Sequence, residues 1–598
     1  MKGIEQIIKE RNREEFYQYY RSLGYDHKVA ASLALFTYGR YRFRNLSMDD
    51  LYDALCRGEE YVPPEVLEER DYLEAPMAMK SYSIPEADSC AIEVEECAAA
   101  PADAFMCASY APSVGTGLMA NLGAAGFATD EYEPIEEKEA RTTVSEQTST
   151  FRMTTNTASA GVVLNQLRNR RWIDRSMVRI EEMLNYFRYE SEVPTGEMFS
   201  ITHEIMDTED DRKYLYINVQ GREEVKDKQN IVVLLDVSGS MHGNTEETQA
   251  IIATIVSKLG NGDKISLVTY SSEDHVELEA FAVNGPEDRI RVLEALLSIE
   301  IYGCTYGSKG IERAYKIGKK NYIPGGNNQV ILITDGDLNF GITDKGGLKQ
   351  LIERKKKDNL FLSVIGTGLW NYKDDKLEAL CKHGNGVYRV VNNLADVRKS
   401  IDEEYSSLVN IIAKDVKAQV EFNPEIVESY RLLGFENRAL AREDFANDKV
   451  ISEPFGSGGY GVALYELHMK TDAKPADSGL KYSKIITTGS QEPATVKVRY
   501  KEPLEDVSHE LETVIETADA ACTDNLRLAF IVYVCAEKLR GSDKISDEEI
   551  NLAKKLYQQL GTTIKEKNAA DLYKLAGILD KSPEELGIGI REEEDFDW

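Results

Sequence analysis

The sequence lacks the residue patterns that most zinc sites and nucleotide-hydrolysing sites require. Its eight cysteines form no C-x-x-C pair, its seven histidines form no H-E-x-x-H, and there is no G-x-x-x-x-G-K-[ST]. These absences exclude most zinc sites and a P-loop ATPase. Isolated cysteines scattered over 598 residues are typical of reduced thiols in a cytosolic protein.

Long hydrophobic runs are also missing. The longest apolar run in the C-terminal part, Leu528 to Ala536, has nine residues, whereas a membrane-spanning helix needs about 20. The first 20 residues, MKGIEQIIKERNREEFYQYY, contain no apolar signal core. We therefore expect a cytoplasmic protein with no membrane span, no signal peptide and no lipoprotein motif.

Positive charge is scarce. Lys and Arg number 71 against 103 Asp and Glu, which gives a net charge of -32. Such a protein repels phosphate backbones, so we expect no nucleic-acid partner.

The pattern along the chain predicts several structural regions. Alternating apolar strands and amphipathic helices predict a doubly wound, Rossmann-like α/β domain, and strands with period-two alternation lie on both sides of it. We therefore predict an α/β domain inserted in an antiparallel β-sandwich, with helical N- and C-terminal regions. The predicted regions are a helical N-terminal region (1–73), a flexible linker rich in Ala, Gly and Pro (74–150), a flank with a helix and sandwich strands (151–228), the α/β domain (229–412), the β-sandwich (413–503), and a helical C-terminal region with an acidic tail (504–598).

Two local predictions are specific enough to check. The segment RRWIDRSMVRIEEMLNYF, residues 170–187, has apolar residues at spacings of three and four, which predicts a helix. Asn244 followed by Glu247 predicts a capping box at the start of the first helix of the α/β domain.

Oxygen-bearing side chains follow the strands of the predicted α/β domain. The first strand ends in D-V-S-G-S, with Asp236, Ser238 and Ser240, and a later strand, QVILIT, ends at Asp335. Between them, the Gly-rich turn GCTYGSKG offers Thr305 just before a helix. In open α/β sheets ligands bind at the carboxyl ends of strands, and Mg²⁺ prefers such hard oxygens. The residues alone also allow a plainer interpretation, in which Asp236 and the two serines only form the turn and cap the helix.

These residues resemble the metal-ion-dependent adhesion site (MIDAS) of von Willebrand factor type A domains: D-x-S-x-S, a downstream Thr, and T-D-G. The flanks resemble those of bacterial YfbK-like von Willebrand A proteins, in RSMVRIEEMLNYF before the domain and in AKDVKAQVEFNP and LRLAFIVYVCAEKLRGS after it. The resemblance covers about residues 150–545. Many members of that family carry an N-terminal lipoprotein signal, which this sequence does not show.

The resemblance implies a binding module without chemistry of its own. Asp236, Ser238, Ser240, Thr305 and Asp335 would hold Mg²⁺ (or Mn²⁺ or Ca²⁺), and a protein ligand would supply an Asp or Glu to the metal. Some relatives act beside MoxR-type AAA+ ATPases, which makes such an ATPase a candidate partner.

Two alternatives remain open from the sequence. A metal held by two carboxylates could activate water, which would make the protein a metal-dependent hydrolase. Some relatives bear channel-type labels, which would make it a membrane-associated accessory protein. Asp337, close to Asp335, could orient the site or lie in solvent.

Overall fold

A computed structural model describes most of the chain from residue 135 onward. The described residues are 135–209, 212–301, 307–336, 359–368, 374–470, 489–516 and 522–582, with positions 17, 18, 20, 21, 25, 30, 34, 352, 585 and 586.

The described strands and helices are numbered here in chain order. The strands are β1 (Arg141–Thr142), β2 (Thr148–Arg152), β3 (Phe199–Asp207), β4 (Arg212–Gly221), β5 (Gln229–Asp236), β6 (Asp263–Tyr270), β7 (Asp274–Val283), β8 (Asn327–Thr334), β9 (Phe361–Thr367), β10 (Asn385–Val391), β11 (Ile411–Phe422), β12 (Val427–Leu433), β13 (Ala439–Leu440), β14 (Glu453–Gly456), β15 (Tyr460–Met469), β16 (Ala494–Lys501) and β17 (Ser508–Ile515). The helices are α1 (Ala158–Arg168), α2 (Ile180–Tyr186), α3 (Thr245–Lys258), α4 (Pro286–Leu297), α5 (Gly307–Lys320), α6 (Asp374–Gly384), α7 (Leu394–Val397), α8 (Tyr405–Val409), α9 (Asp524–Arg540), α10 (Asp547–Gln559) and α11 (Thr562–Ala576).

The α/β domain is built on a six-stranded sheet of order β10-β9-β8-β5-β6-β7. Its pairs are parallel except for β6 and β7, which run antiparallel. Strand β5 is buried along nearly its whole length, because helices cover both faces of a parallel sheet. The chain goes from β5 to β6 on one side and places β8 on the other, so the strand order reverses between β5 and β8. Ligand sites of such sheets lie at this crevice.

The α/β domain is inserted in a β-sandwich, which confirms the predicted fold class. One antiparallel sheet has the order β1-β12-β15-β4-β3, and the other has the order β13-β2-β11-β16-β17, with β14 also paired to β11. Strands β3 and β4 precede the α/β domain in sequence, and β15, which pairs with β4, follows it. The alternation that predicted these strands is seen in β16, where buried and half-buried residues alternate.

Several predicted boundaries are wrong. The segment predicted as linker up to residue 150 contributes β1 and β2, and β2 lies inside the sandwich, paired with β11 and β13. The region predicted as helical from residue 504 begins with β17, which pairs with β16 along its whole length. Strand β7 was not predicted; its acidic, alternating sequence DHVELEAFAV forms the exposed edge of the α/β sheet. Helix α1 was not predicted either.

The helix predicted over 170–187 is shorter than expected. Residues 175–177 form one 3₁₀ turn, because the Asp174 carboxylate accepts a hydrogen bond from the backbone N–H of Ser176. The α-helix itself begins at Ile180. A local Asp side chain thus competes with the helix for the backbone, which the apolar spacing alone does not reveal.

The C-terminal helices share a hydrophobic core with the α/β domain and one sheet of the sandwich. Helix α9 is buried on almost every side, and all residues from Leu528 to Ala536 are fully buried. This explains the apolar run of nine residues, since α9 packs against α2, α10 and α11. Within the described part of the chain, no helix combines the length and the hydropathy required to cross a bilayer.

At the few described N-terminal positions, tyrosines are buried in the α/β domain. Tyr20 and Tyr25 belong to the core formed by one face of the sheet with α3 and α4. The hydroxyl of Tyr25 donates to the carbonyl of Leu394, at 2.5 Å. The remainder of the predicted helical region 1–73, and 74–134 of the predicted linker, lie outside the described residues.

Candidate metal centre

Asp236 lies at the carboxyl end of β5 and is 1% exposed. Its Oδ1 accepts a hydrogen bond from the backbone N–H of Ser238, at 3.0 Å. Its Oδ2 accepts from the hydroxyl of Tyr270 at 3.0 Å and from Oγ1 of Thr334 at 2.8 Å. Tyr270 and Thr334 end the two strands that flank β5, so the sheet itself fixes the orientation of this carboxylate.

Ser238 and Ser240 occupy the turn that follows Asp236. Ser238 is buried, Ser240 is exposed, and their Oγ atoms are 3.1 Å apart. A 3₁₀ turn, Gly239–Asn244, then leads into α3. The two neighbouring hydroxyls therefore lie at the boundary between the interior of the domain and its surface.

Asp335 follows β8 directly and is 5% exposed. The next residue, Gly336, has a φ of +92°, a backbone conformation that residues other than glycine rarely adopt. Its N–H donates to Oγ1 of Thr334, at 3.1 Å. The glycine of the T-D-G motif thus makes the turn that keeps Asp335 at the carboxyl end of the strand beside Asp236.

The electrostatics of the site favour a cation. Burial raises the pKa of Asp236 to about 6, and the negative charge of Asp335 adds to that rise, while hydrogen bonds from Ser238 and Thr334 oppose it. Two buried carboxyl groups at one edge repel each other when both are ionised. A divalent cation between them would remove that repulsion.

Four of the five predicted metal ligands are described, and all four lie at the same edge of the sheet: Asp236, Ser238, Ser240 and Asp335. Thr305 lies outside the described residues, as does Asp337. His242, next to the motif, is exposed.

The predicted capping box is wrong. Asn244 precedes α3, but its side chain makes no capping hydrogen bond. Its amide instead donates to the carbonyl of Thr367 at the end of β9, at 3.4 Å. Asn244 therefore ties the site turn to the neighbouring strand rather than to its own helix.

Sequence reasoning missed Tyr270 and Thr334 as supports of the site. Both are the last residues of strands adjacent to β5, and both direct a hydroxyl to Asp236. The strand-end position was visible in the sequence, but the pairing order of the strands was not. Only that order shows that β6 and β8 both flank β5.

The donor set fits a hard divalent cation. Carboxylates of Asp236 and Asp335 and hydroxyls of Ser238 and Ser240 are oxygen ligands of the kind that Mg²⁺ takes, and Mg²⁺ commonly keeps some water ligands. Among the described residues there is no cluster of three or more His, Cys, Asp or Glu side chains that could bind a metal. A cation here would therefore depend on neutral hydroxyls as well as on its two carboxylates.

Family models match three parts of the chain. The von Willebrand factor type A domain model matches residues 230–403, a model described as von Willebrand factor matches 126–215, and one described as the C-terminal part of the uncharacterized protein YfbK matches 406–580. The first match contains the α/β domain, and the other two contain strands of the sandwich.

Known proteins are similar over different lengths. The uncharacterized protein YfbK of Escherichia coli is 28% identical over 450 residues, which cover 72% of this chain and 78% of that protein. A solved von Willebrand factor type A structure from Catenulispora acidiphila is 14% identical, with a TM-score of 0.36, and covers 66% of this chain and 98% of its own. Proximal thread matrix protein 1 from the mussel byssus, described with a zinc-occupied MIDAS motif, is 17% identical, with a TM-score of 0.26, and covers 31% of this chain and 49% of its own.

Proposed function

Because the chain is a von Willebrand factor type A domain protein of the bacterial YfbK kind, we propose that it binds a partner protein through a divalent cation at Asp236, Ser238, Ser240, Thr305 and Asp335. Von Willebrand factor type A domains are typically interaction modules with a MIDAS metal site. Mg²⁺ is the proposed cation, because every proposed ligand atom is a carboxylate or hydroxyl oxygen.

The observation that carries the proposal is the fixed orientation of Asp236. Three hydrogen bonds from three different segments hold a carboxylate that is almost completely buried. Two neutral hydroxyls stand next to it, and Ser240 is at the surface. A metal with only two anionic protein ligands stays electron-poor, so a carboxylate from a partner can replace one of its water molecules.

We also propose that the protein is a binding module and catalyses no reaction. Asp236 already accepts three hydrogen bonds, so it is poorly placed to take a proton from water as a general base. A MoxR-type ATPase as the partner stays a prediction from the family resemblance.

Capture of partners from a bacterial lysate, with and without EDTA, tests the proposal. We expect a protein that is retained with Mg²⁺, released by EDTA and not retained by the Asp236→Asn variant. Retention that is equal in EDTA would contradict the proposal. Metal-dependent hydrolysis of phosphoester or peptide substrates by the purified protein, lost in Asp236→Asn, would instead establish the hydrolase alternative.

A further inference from the structure

A groove in the α/β domain has more cations than acids among its described lining residues, although the whole chain carries a net charge of -32. It is open, has a volume of about 660 Å³, and runs along α5 next to the edge strand β7. Among the described residues that line it, five are cations: Lys309, Arg313, Lys316, Lys319 and Lys320.

The cations share one side of α5 because of their spacing. Lys309, Arg313, Lys316 and Lys320 follow each other at intervals of four, three and four residues, which places side chains on one face of a helix. All four are exposed. From Lys309 to Lys320 the helix advances roughly 16 Å, the length of about five residues of extended chain.

The groove also contains acidic groups. Asp274 and Glu312 lie in its wall. Asp274 pairs with Arg313 at 2.7 Å, and Glu279 of β7 pairs with Lys320 at 2.5 Å. Glu277 of the same strand accepts a hydrogen bond from Thr269. Among the described residues of the wall, the cations outnumber the acids by five to two, and Glu279 beside Lys320 raises the number of acids to three.

One end of the groove lies next to a residue that supports the metal centre, because Asp274 of its wall is the cross-strand partner of Tyr270. Helix α5 starts two residues after the proposed ligand Thr305. Its Gly310 lies against Tyr270, so closely that a Cβ there would be 2.9 Å from the Cβ of Tyr270. Tyr270 is the residue whose hydroxyl holds Asp236. A chain that reaches the metal can therefore continue along α5.

We propose that the partner segment recognised by this protein is acidic beyond its metal-binding carboxylate, with several Asp or Glu residues that lie along α5. The inference rests on the proposed function, since it assigns further residues of the same partner. Surface charge of opposite sign near the metal would also steer an acidic segment towards a molecule that otherwise repels it.

The acidic C-terminal segment of the chain, REEEDFDW, has a similar composition and is the competing occupant. The described helix that precedes this segment lies away from the groove, and the experiment below distinguishes the two occupants. The C-terminal helix α11 packs on α1, and α1 packs on β10, which is the opposite edge of the sheet from β7.

Fluorescence polarisation with two labelled peptides tests the inference. One is hexaglutamate, and the other is Gly-Glu-Gly, each with blocked ends. In Mg²⁺, we expect Lys316→Gln/Lys319→Gln to weaken hexaglutamate binding roughly five-fold, since exposed ion pairs contribute little each. Binding of Gly-Glu-Gly should not change. The matched control, Lys555→Gln/Lys574→Gln on α10 and α11, removes the same charge and should leave both peptides unaffected.

The outcomes separate the inference from the proposed function. If hexaglutamate fails to bind the protein, or binds Lys316→Gln/Lys319→Gln as tightly as the unaltered protein, the inference is wrong, whatever EDTA does. If the lysine variant weakens binding but EDTA and Asp236→Asn do not, the groove binds acids without the metal and the proposed function fails. If hexaglutamate binds only after residues 587–598 are deleted, the chain's own tail fills the groove, which overturns the assignment to a partner.

Discussion

At the scale of single residues, the metal centre depends on which strand ends meet. The carboxylate of Asp236 is held in one orientation by its neighbours. Two hydroxyls donate to Oδ2, and a backbone N–H donates to Oδ1. Hydrogen bonds of this kind orient a ligand before the metal arrives, and their loss typically lowers metal affinity.

Removing either carboxylate charge should abolish Mg²⁺ binding. We expect Asp236→Asn and Asp335→Asn to show no measurable heat of Mg²⁺ binding in titration calorimetry, with circular dichroism unchanged. Asp263→Asn is the matched control, because Asp263 is a buried acid at the amino end of β6 that accepts from Gly260 and Gln229. Wild-type affinity in both site variants would disprove the ligand assignment.

The hydroxyl of Thr334 should affect the Mg²⁺ affinity of the site, although it is not a metal ligand. Thr334→Val keeps the shape of the side chain but removes its hydrogen bond to Asp236, so we expect Mg²⁺ affinity to fall roughly ten-fold. Thr254→Val in α3 removes an equally buried hydroxyl that donates to the carbonyl of Ala250, away from the site, and should leave the affinity unchanged. Equal affinities of the two variants would show that Thr334 has no supporting role.

At the scale of secondary-structure elements, a buried ion cluster joins the α/β domain to its flanks. The guanidinium of Arg438, in the sandwich, lies 3.2 Å from Glu181 and 2.7 Å from Glu182 of α2. It also lies 2.7 Å from Glu378 of α6. Burial raises the pKa of Glu378, but the charges of Arg438, Arg179 and Lys382 together lower it below its ordinary value.

Loss of this arginine should be costly, because it removes the cation that Glu181, Glu182 and Glu378 share. Arg179 would then face both Glu182 and Glu378. We expect Arg438→Met to lower the free energy of unfolding by about 3–5 kcal/mol in chemical denaturation. Arg499→Met, which removes exposed pairs with Asp448 and Glu510, should cost about 1 kcal/mol or less. Similar losses from the two substitutions would contradict the role given to the cluster.

At the scale of the whole molecule, the inserted α/β domain shares its core with its surroundings. Residues of β5, β8 and β10 belong to the same hydrophobic cluster as α1 and the C-terminal helices. Helix α1 packs against the edge strand β10, and a Cβ at Gly161 of α1 would lie 3.7 Å from the carbonyl oxygen of Val390.

An isolated fragment 229–412 should fold but unfold at a lower temperature than the full chain. The fragment contains all six strands of the sheet and the helices on both of its faces, so the α/β fold should form. It lacks α1, which packs on β10 in the full chain, and should therefore be less stable. Circular dichroism during heating measures the difference. An unfolded fragment would show that the flanks are needed for the domain to form, and a fragment as stable as the full chain would show that they contribute nothing.

The sequence alone determined the α/β alternation, the insertion in a sandwich and the residues at the strand ends, because period and turn residues are local properties of the chain. It did not determine β2 or β17, whose short or acidic stretches become strands only because β11 and β16 offer them a partner. It did not show that Tyr270 and Thr334 support Asp236, because that contact depends on β6 and β8 lying on either side of β5. Nor did the net charge of -32 reveal a basic groove, since a sum over the chain says nothing of which charges one helix face brings together.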